Sequence, residues 1–221
     1  MKIRIDINLK DLKVNRVIRS FIAADFLFFG GWGLVNPVFA LFVVDRIPGA
    51  GLMTVGIAAA LYWIVKSIFQ IPVSIFLDRY EGERDDFHVL ILSLILAGIA
   101  MFLFLIAHSQ LGLFSVVVLQ AIAFGLYTPS WSALFARHLD REHYSFDWSL
   151  DSTSVGIAAG ITGLLGGGLA SLFGFEIIFI GGGILSFASA FLLLLVPDFV
   201  FPRRTSAEPL IRDHTPVNIN K

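Results

Sequence analysis

Six runs of apolar residues, each about 20 residues or longer, constrain the fold of this chain more than any other feature. The runs lie near residues 20–44, 53–77, 87–107, 111–136, 152–173 and 177–196. An α-helix of about 20 residues crosses the roughly 30 Å hydrocarbon layer of a bilayer. Within lipid, a helix satisfies all of its own backbone hydrogen bonds. The sequence therefore predicts an all-α integral membrane protein with six transmembrane helices.

The overall composition agrees with a membrane protein and excludes several other classes. Hydrophobic residues make up 57% of the chain and charged residues 15%, which is too little polar surface for a water-soluble globule. No basic patch with interleaved aromatics occurs in the connections, so the expected partner is the lipid bilayer and not nucleic acid. The chain has no cysteine, which excludes disulfides and thiolate metal sites.

Basic residues gather on one side of the predicted membrane. Of the sixteen Lys and Arg residues, fourteen lie before the first run, after the second or fourth run, or after the sixth. The connections on the other side contain a single basic residue, Arg46. Lys and Arg accumulate in cytoplasmic loops. Both termini are therefore predicted to be cytoplasmic, in a multi-pass protein of the cell membrane.

The remaining basic residue, Lys66, lies inside the second run. Tyr62, Lys66, Gln70 and Ser74 recur every four residues, and this spacing places them on one face of a helix. Lys66 is about 18 Å along the helix axis from Asp78, too deep for easy snorkelling. A cation at this depth costs roughly 3 kcal/mol, so it normally faces a bundle interior or a water-filled cavity. Lys66 is predicted either to bind a substrate or coupling ion, or to pair with an acid on a neighbouring helix.

Short sequence words repeat between the two halves of the chain. Gly-Leu-Val-Asn-Pro from Gly33 to Pro37 corresponds to Gly-Leu-Tyr-Thr-Pro from Gly125 to Pro129. Val-Gly-Ile-Ala-Ala occurs at residues 55–59 and again at 155–159. Three crossings reverse the direction of the chain, so two three-helix copies are oppositely oriented. The pattern predicts a 3+3 inverted repeat of residues 20–107 and 108–198, preceded by a basic amphipathic lead-in at 1–19 and followed by a flexible tail at 199–221.

Polar residues on the first and fourth runs form the other half of a predicted substrate or ion site. They share one helical face on each run and are Asp25, Trp32 and Asn36, and Gln120, Tyr127 and Trp131. Asp25 is a candidate proton-binding carboxylate or the structural partner of Lys66. Asn36 and Gln120 could equally provide hydrogen bonds between helices, and the tryptophans could be core packing.

Small residues recur every three or four positions in the fifth run. Gly156, Gly160, Gly163 and Gly167 would let another helix approach closely, either within the bundle or between two copies of the chain. The third and sixth runs are nearly all Ile, Leu, Phe and Ala. They are predicted to be the outer helices that face lipid.

The connection between the second and third runs resembles the loop motif of the major facilitator superfamily. Asp78 and Arg79 match the Asp-Arg pair of that motif. Gly82 lies one residue later than the glycine of the motif, and of the two basic residues that end the motif only the second, Arg84, is present. The first glycine of the motif is absent. With the six runs and the three-helix repeat, this resembles the N-terminal six-helix half of such a transporter. The resemblance implies a conformational charge lock at these residues, with Arg137 as a partner for Asp78.

Transporters of this family have two six-helix halves related by a two-fold axis along the membrane normal. We therefore expect a half-size secondary transporter that acts as a homodimer, joined through the fifth-run glycines, with a midplane site and alternating access. The alternative is a half-length subunit with an assembly role and no transport of its own. The substrate cannot be read from the sequence.

An enzyme is not expected. All five histidines lie at run ends or in connections, and no nucleophile or metal-binding pattern lies at membrane depth. No phosphate-binding loop is present, so the chain has no ATPase of its own. No cofactor or metal is expected. Asp25 suggests that transport is coupled to a proton or another ion.

Overall fold

The computed structural model describes residues 14–79, 83–139 and 143–196, and these residues form a bundle of α-helices. The predicted Gly82, residues 1–13 of the lead-in and the tail at 199–221 lie outside this range. The helices are α1 Arg16–Val35, α2 Phe39–Arg46, α3 Leu52–Leu77, α4 Arg84–Phe104, α5 Gln110–His138, α6 Tyr144–Phe173 and α7 Phe175–Leu194.

The helices give six membrane spans, as predicted. A 3-10 turn at Asn36–Val38 joins α1 and α2 into the first span, Arg16–Arg46, and α3 to α7 are the other five. The break between α1 and α2 falls at Pro37, which has no N–H to continue the helical hydrogen-bond ladder. All six are long and apolar enough to cross a membrane. The chain is therefore an all-α, multi-pass membrane protein.

Local sequence determines where several helices begin. Asn15 caps α1, where its Oδ1 accepts a hydrogen bond from the backbone N–H of Ile18 at 2.8 Å. Ser109 caps α5 in the same way through the N–H of Gly112. Gly174, with φ at +87°, makes the sharp turn between α6 and α7 that other residues would adopt only with strain.

Each helix packs mainly on its neighbours in the order α3, α5, α4, α7, α1, α6. Helices α3 and α6 lie at the two ends of this order, so each has one main neighbour. Only 11% of the most apolar window of α3 or α6 is buried, against 44–56% for the other four spans. The prediction that the third and sixth spans are the outer helices that face lipid stays a prediction. Each of them, α4 and α7, packs between two neighbours.

The two repeated sequence words occupy matching environments. Gly33 of α1 lies against the backbone of Ala159 in α6, and Gly125 of α5 lies against the backbone of Lys66 in α3. In the second word, Ala58 and Ala158 are both buried, at 1% and 0% exposure. Small residues thus allow close helix contact at the same place in both halves.

Candidate functional site

The predicted face of α3 carries three polar side chains, Tyr62, Lys66 and Gln70, that we call the lysine stripe. Lys66 is half-buried, with its Nζ 5.2 Å from the ring centre of Trp63 and 6.0 Å from that of Phe124. Within the described ranges, no carboxylate lies at ion-pair distance from Lys66. The amine is thus held by aromatic ring faces, which attract a cation without neutralising its charge.

Aromatic rings surround the lysine stripe. Trp32 of α1 stacks on Tyr62 with 5.8 Å between ring centres, and Phe124 of α5 lies 5.1 Å from Trp32 and 5.8 Å from Tyr62. Neither the Tyr62 hydroxyl nor the Gln70 amide hydrogen-bonds to another residue in the described part of the chain. The stripe therefore combines one positive charge, ring surfaces and unused hydrogen-bonding groups.

A second polar group, the carboxylate cluster, consists of Asp25, Tyr127, Trp131 and Asp151. Asp25 of α1 is 3% exposed and accepts a 2.6 Å hydrogen bond from the hydroxyl of Tyr127. Asp151 of α6 is 6% exposed and is close enough to interact electrostatically with Asp25. Trp131 Nε1 lies beside Asp25 without meeting hydrogen-bond geometry. Two acidic side chains from different helices thus share one buried location.

The predicted ion pair between Asp25 and Lys66 is not formed. Asp25 instead bonds to Tyr127, and Phe28 packs against both Phe124 and Tyr127 with ring centres 5.1 and 4.9 Å away. An aromatic layer therefore connects the lysine stripe to the carboxylate cluster. The two charged groups are separate features of the bundle.

The remaining predicted site residues are divided between core and surface. Gln120 is 2% exposed, and neither of its amide atoms has a hydrogen-bond partner in the part of the chain that the structure describes. Trp131 is buried against Tyr127, Phe135 and Trp148. Asn36 is exposed at the end of α1. The structure thus brings Trp32 and Tyr62 to Lys66, and Tyr127 and Trp131 to Asp25.

Charged residues also meet at one end of the bundle, where α1 starts and α5 ends. This end is called the basic end below. Arg137 forms an ion pair with Asp86, a residue that sequence analysis did not single out and that is completely buried. Asp78 ends α3, is exposed and interacts electrostatically with Asp86. Arg79 and Arg84 are exposed. The ion pair that the structure shows for Arg137 therefore involves α4, and not the predicted Asp78.

Asp86 and Asp151 were not predicted as site residues, because their helices were expected to begin later in the sequence than they do. The third and fifth apolar runs begin near residues 87 and 152, whereas α4 begins at Arg84 and α6 at Tyr144. Acidic residues near helix N-termini, where they interact favourably with the helix dipole, could have indicated the earlier starts.

The predicted helix-packing glycines of α6 face two directions. A side chain at Gly163 would contact Pro37 of the same chain, whereas Gly156, Gly160 and Gly167 have open space beside them. The uncovered sides of α3 and α6 are called the open faces below. The half-buried lysine stripe borders the open face of α3, and these three glycines lie on that of α6.

A six-span bundle with its least covered helices at both ends of the packing order, and a charged stripe on one of them, has the architecture of half a membrane transporter. The family model for the Major Facilitator Superfamily matches residues 21–217. The chain belongs to the major facilitator superfamily. Its fold is similar to the crystal structure of the POT family transporter PepTSo, with a TM-score of 0.70 and 17% identity.

The match to PepTSo covers 83% of this chain and 37% of the transporter. The chain thus spans well under half the length of that protein. No curated protein matches the chain. The comparisons confirm the predicted family and the six-helix fold.

Proposed function

We propose that this chain is one half of a secondary transporter, and that a second copy packs against the open faces of α3 and α6. The contact order supports an inverted repeat of residues 20–107 and 108–198. The counterparts in the two halves are α1 and α5, α3 and α6, and α4 and α7. Replacing each helix by its counterpart turns the packing order α3, α5, α4, α7, α1, α6 into the same order read backwards. Two such halves, related by an axis along the membrane normal, form the usual transporter unit.

The single observation that carries the proposal is Lys66, half-buried beside the open face of α3 at membrane depth, with no carboxylate at ion-pair distance in the described residues. Lipid does not hydrogen-bond to polar groups, so each one left unsatisfied there costs several kcal/mol. Lys66, Tyr62 and Gln70 therefore need a neighbour other than lipid. A water-filled cavity between two half-bundles provides one, and alternating access exposes that cavity to each side of the membrane in turn.

The carboxylate cluster is the proposed site of ion coupling. Asp25 is buried, interacts electrostatically with another buried acid, Asp151, and accepts a hydrogen bond from Tyr127. Two buried carboxylates that repel each other favour binding of a proton, which removes one of the two negative charges. The rings between Asp25 and Lys66 give proton binding a route to affect the substrate site.

Orientation follows from the charges at the basic end. Arg16, Arg19, Arg79, Arg84 and Arg137 lie at this end of the described helices, which is therefore proposed to be cytoplasmic. The ion pair between Arg137 and Asp86 would link α5 to α4 at that surface. We propose that this pair, together with Asp78 and Arg79, stabilises one conformation of the transporter.

The dimer can be tested with single cysteines, because the natural chain has none. Gly160→Cys lies on the open face of α6, and the matched control Phe191→Cys lies on α7, where Phe191 is 62% exposed. Oxidation in membranes should give a disulfide-linked dimer for Gly160→Cys and little for Phe191→Cys. Dimers only through Phe191→Cys, or none through Gly160→Cys, would contradict the proposed interface.

Transport can be tested by recording charge movement on solid-supported membranes loaded with proteoliposomes. The wild-type protein should give currents with some members of a broad solute panel. Lys66→Met should abolish them, Asp25→Asn should remove their dependence on a pH gradient, and Ser67→Ala, an exposed neighbour of Lys66, should leave them unchanged. A wild-type dimer that stays silent with every solute would favour the alternative of a subunit that does not transport.

A further inference from the structure

We propose that the transported solute is an organic anion, with its negative group bound by Lys66 and its apolar part against the partly buried rings of Trp32 and Tyr62. This inference rests on the proposed transport function and specifies its substrate class. It begins with the charge of Lys66, the one basic residue inside the six apolar runs of the sequence.

The negative charge that Lys66 requires does not come from its own bundle. The acids nearest to membrane depth are Asp25 and Asp151, which are 3% and 6% exposed and belong to the carboxylate cluster. Asp25 is already hydrogen-bonded to Tyr127. In the described ranges, no carboxylate reaches Lys66. The counter-charge must therefore approach from the side of the open face.

The described residues of a second copy do not provide that charge either. Its Asp25 and Asp151 are equally buried, and the exposed acids Asp45, Asp78 and Glu176 lie at helix ends, far from the midplane. The two-fold axis instead brings a second Lys66 to the same cavity. Two like charges facing one space of low dielectric repel each other. An anionic solute relieves both the repulsion and the unpaired charge.

The surroundings of Lys66 favour a solute with a flat apolar part. Trp32, Tyr62 and Phe124 have ring centres within 6 Å of each other, and the ring centre of Trp63 lies 5.2 Å from the amine. The Tyr62 hydroxyl and the Gln70 amide can donate hydrogen bonds to the oxygens of a carboxylate or phosphate. A small inorganic ion would interact with the charge but would offer no apolar surface to the rings.

The test uses matched compounds that differ in charge and share a ring: indole-3-acetate, indole-3-acetamide and tryptamine, and likewise benzoate, benzamide and benzylamine, with phenyl phosphate added. A ligand that binds the folded state raises the melting temperature. Phenyl phosphate separates recognition of any anion from recognition of a carboxylate. We expect the anions to stabilise the detergent-purified dimer and the amides and amines to have little effect.

Variants assign the effect to Lys66. A charge-assisted contact contributes enough that Lys66→Met should weaken anion binding by about tenfold to a hundredfold. Lys66→Arg, which keeps the charge, should stay within a few-fold of wild type. Arg16→Gln, which removes an exposed positive charge at the basic end, should change nothing. The melting temperatures without ligand show whether each variant is folded.

The outcomes separate the substrate class from transport itself. Stabilisation by the amide or amine as strong as by the anion, or anion binding that is unchanged in Lys66→Met, would overturn the inference. If neutral or cationic solutes also gave transport currents, the chain would be a transporter of a different substrate class. A protein that neither binds nor moves any compound of the panel would contradict the anion inference and weigh against transport as well.

Discussion

Helices α3 and α6 hold equivalent places in the two halves of the molecule and carry opposite charge. Both lie at an end of the packing order, both are buried to the same small extent, and each contacts its main neighbour through a glycine of the repeated word, Gly125 or Gly33. Yet α3 presents the cation Lys66, whereas α6 contributes the acid Asp151.

The difference shows which part of the repeat is fixed by packing and which part is free to change. A residue at the helix contact must be small in both halves, because backbone atoms of the neighbouring helix are among the closest opposing atoms. A residue on the open side has no such restriction. Function can therefore differ between α3 and α6 while the fold keeps its symmetry, and the following predictions test both parts of this contrast.

The largest effect is expected at the shared contact. A Cβ on Gly33 would lie 2.8 Å from Cα of Ala159, and one on Gly125 would lie 2.9 Å from Cβ of Phe69 and 3.1 Å from the backbone oxygen of Lys66. Gly33→Leu and Gly125→Leu should each destabilise the bundle by about 3 kcal/mol or more, since helix backbones cannot move aside cheaply.

Thermal unfolding in detergent, followed by size-exclusion chromatography, would measure this loss. Gly156→Leu is the control, because Gly156 has open space beside it. If damage occurred at Gly33 alone, with Gly125→Leu fully stable, the two contacts would not be equivalent.

The next effect concerns the carboxylate cluster, to which α6 contributes. Tyr127→Phe removes the hydrogen bond to buried Asp25 and should cost about 1–3 kcal/mol, the range for leaving a buried hydrogen-bonding group without its partner. Tyr144→Phe is the matched control, since Tyr144 is 45% exposed. The melting temperature in detergent again measures the change. Equal stability of the two variants would mean that Asp25 gains little from Tyr127.

The lysine stripe should respond in the opposite direction. Because Lys66 has no carboxylate partner in the described ranges, Lys66→Met removes an uncompensated charge at the expense of two cation–π contacts, each worth about 0.5–2 kcal/mol. We expect a net gain of about 1 kcal/mol in stability together with the loss of transport. This is the usual sign of a residue retained for function.

Differential scanning fluorimetry of Lys66→Met beside Lys66→Arg would show the gain, with the arginine variant expected near wild type. A clear loss of stability in Lys66→Met would indicate that the amine supports the fold. The contrast between an open, functional α3 and a packed carboxylate cluster would then fail.

Particular residues show how much of this could be read from the sequence. The spans and the polar face of α3 follow from apolar length and four-residue spacing, which are local properties of a helix. The family was indicated by a resemblance, carried by the loop at Asp78 and Arg79 together with the three-helix repeat. The partner of Asp25 could not be predicted in this way, because Tyr127 lies 102 residues away and the contact depends on how α1 and α5 rotate against each other.

The packing order of the helices could not be predicted from the sequence either. Composition shows that the third and sixth spans are almost wholly apolar, but it does not show that α4 and α7 each lie between two neighbouring helices. Asp86 and Asp151 were missed because α4 and α6 begin in more polar segments before their apolar runs. Hydrophobicity marks the membrane crossing and leaves the helix end undefined.

The smallest predicted effect examines the open faces themselves. Gly56 of α3 and Gly156 of α6 occupy the same position of the repeated word, and both have open space beside them. In a monomer, Gly56→Ala and Gly156→Ala should each stabilise by about 0.4–1 kcal/mol, because alanine has the higher helix propensity and fewer unfolded conformations. In the membrane dimer, a partner packed closely against one glycine would oppose that gain. Melting temperatures of the two variants, measured under monomeric and dimeric conditions, would therefore reveal which of the two helices the partner approaches. Equal increases in melting temperature under both conditions would mean that neither glycine lies at a close contact.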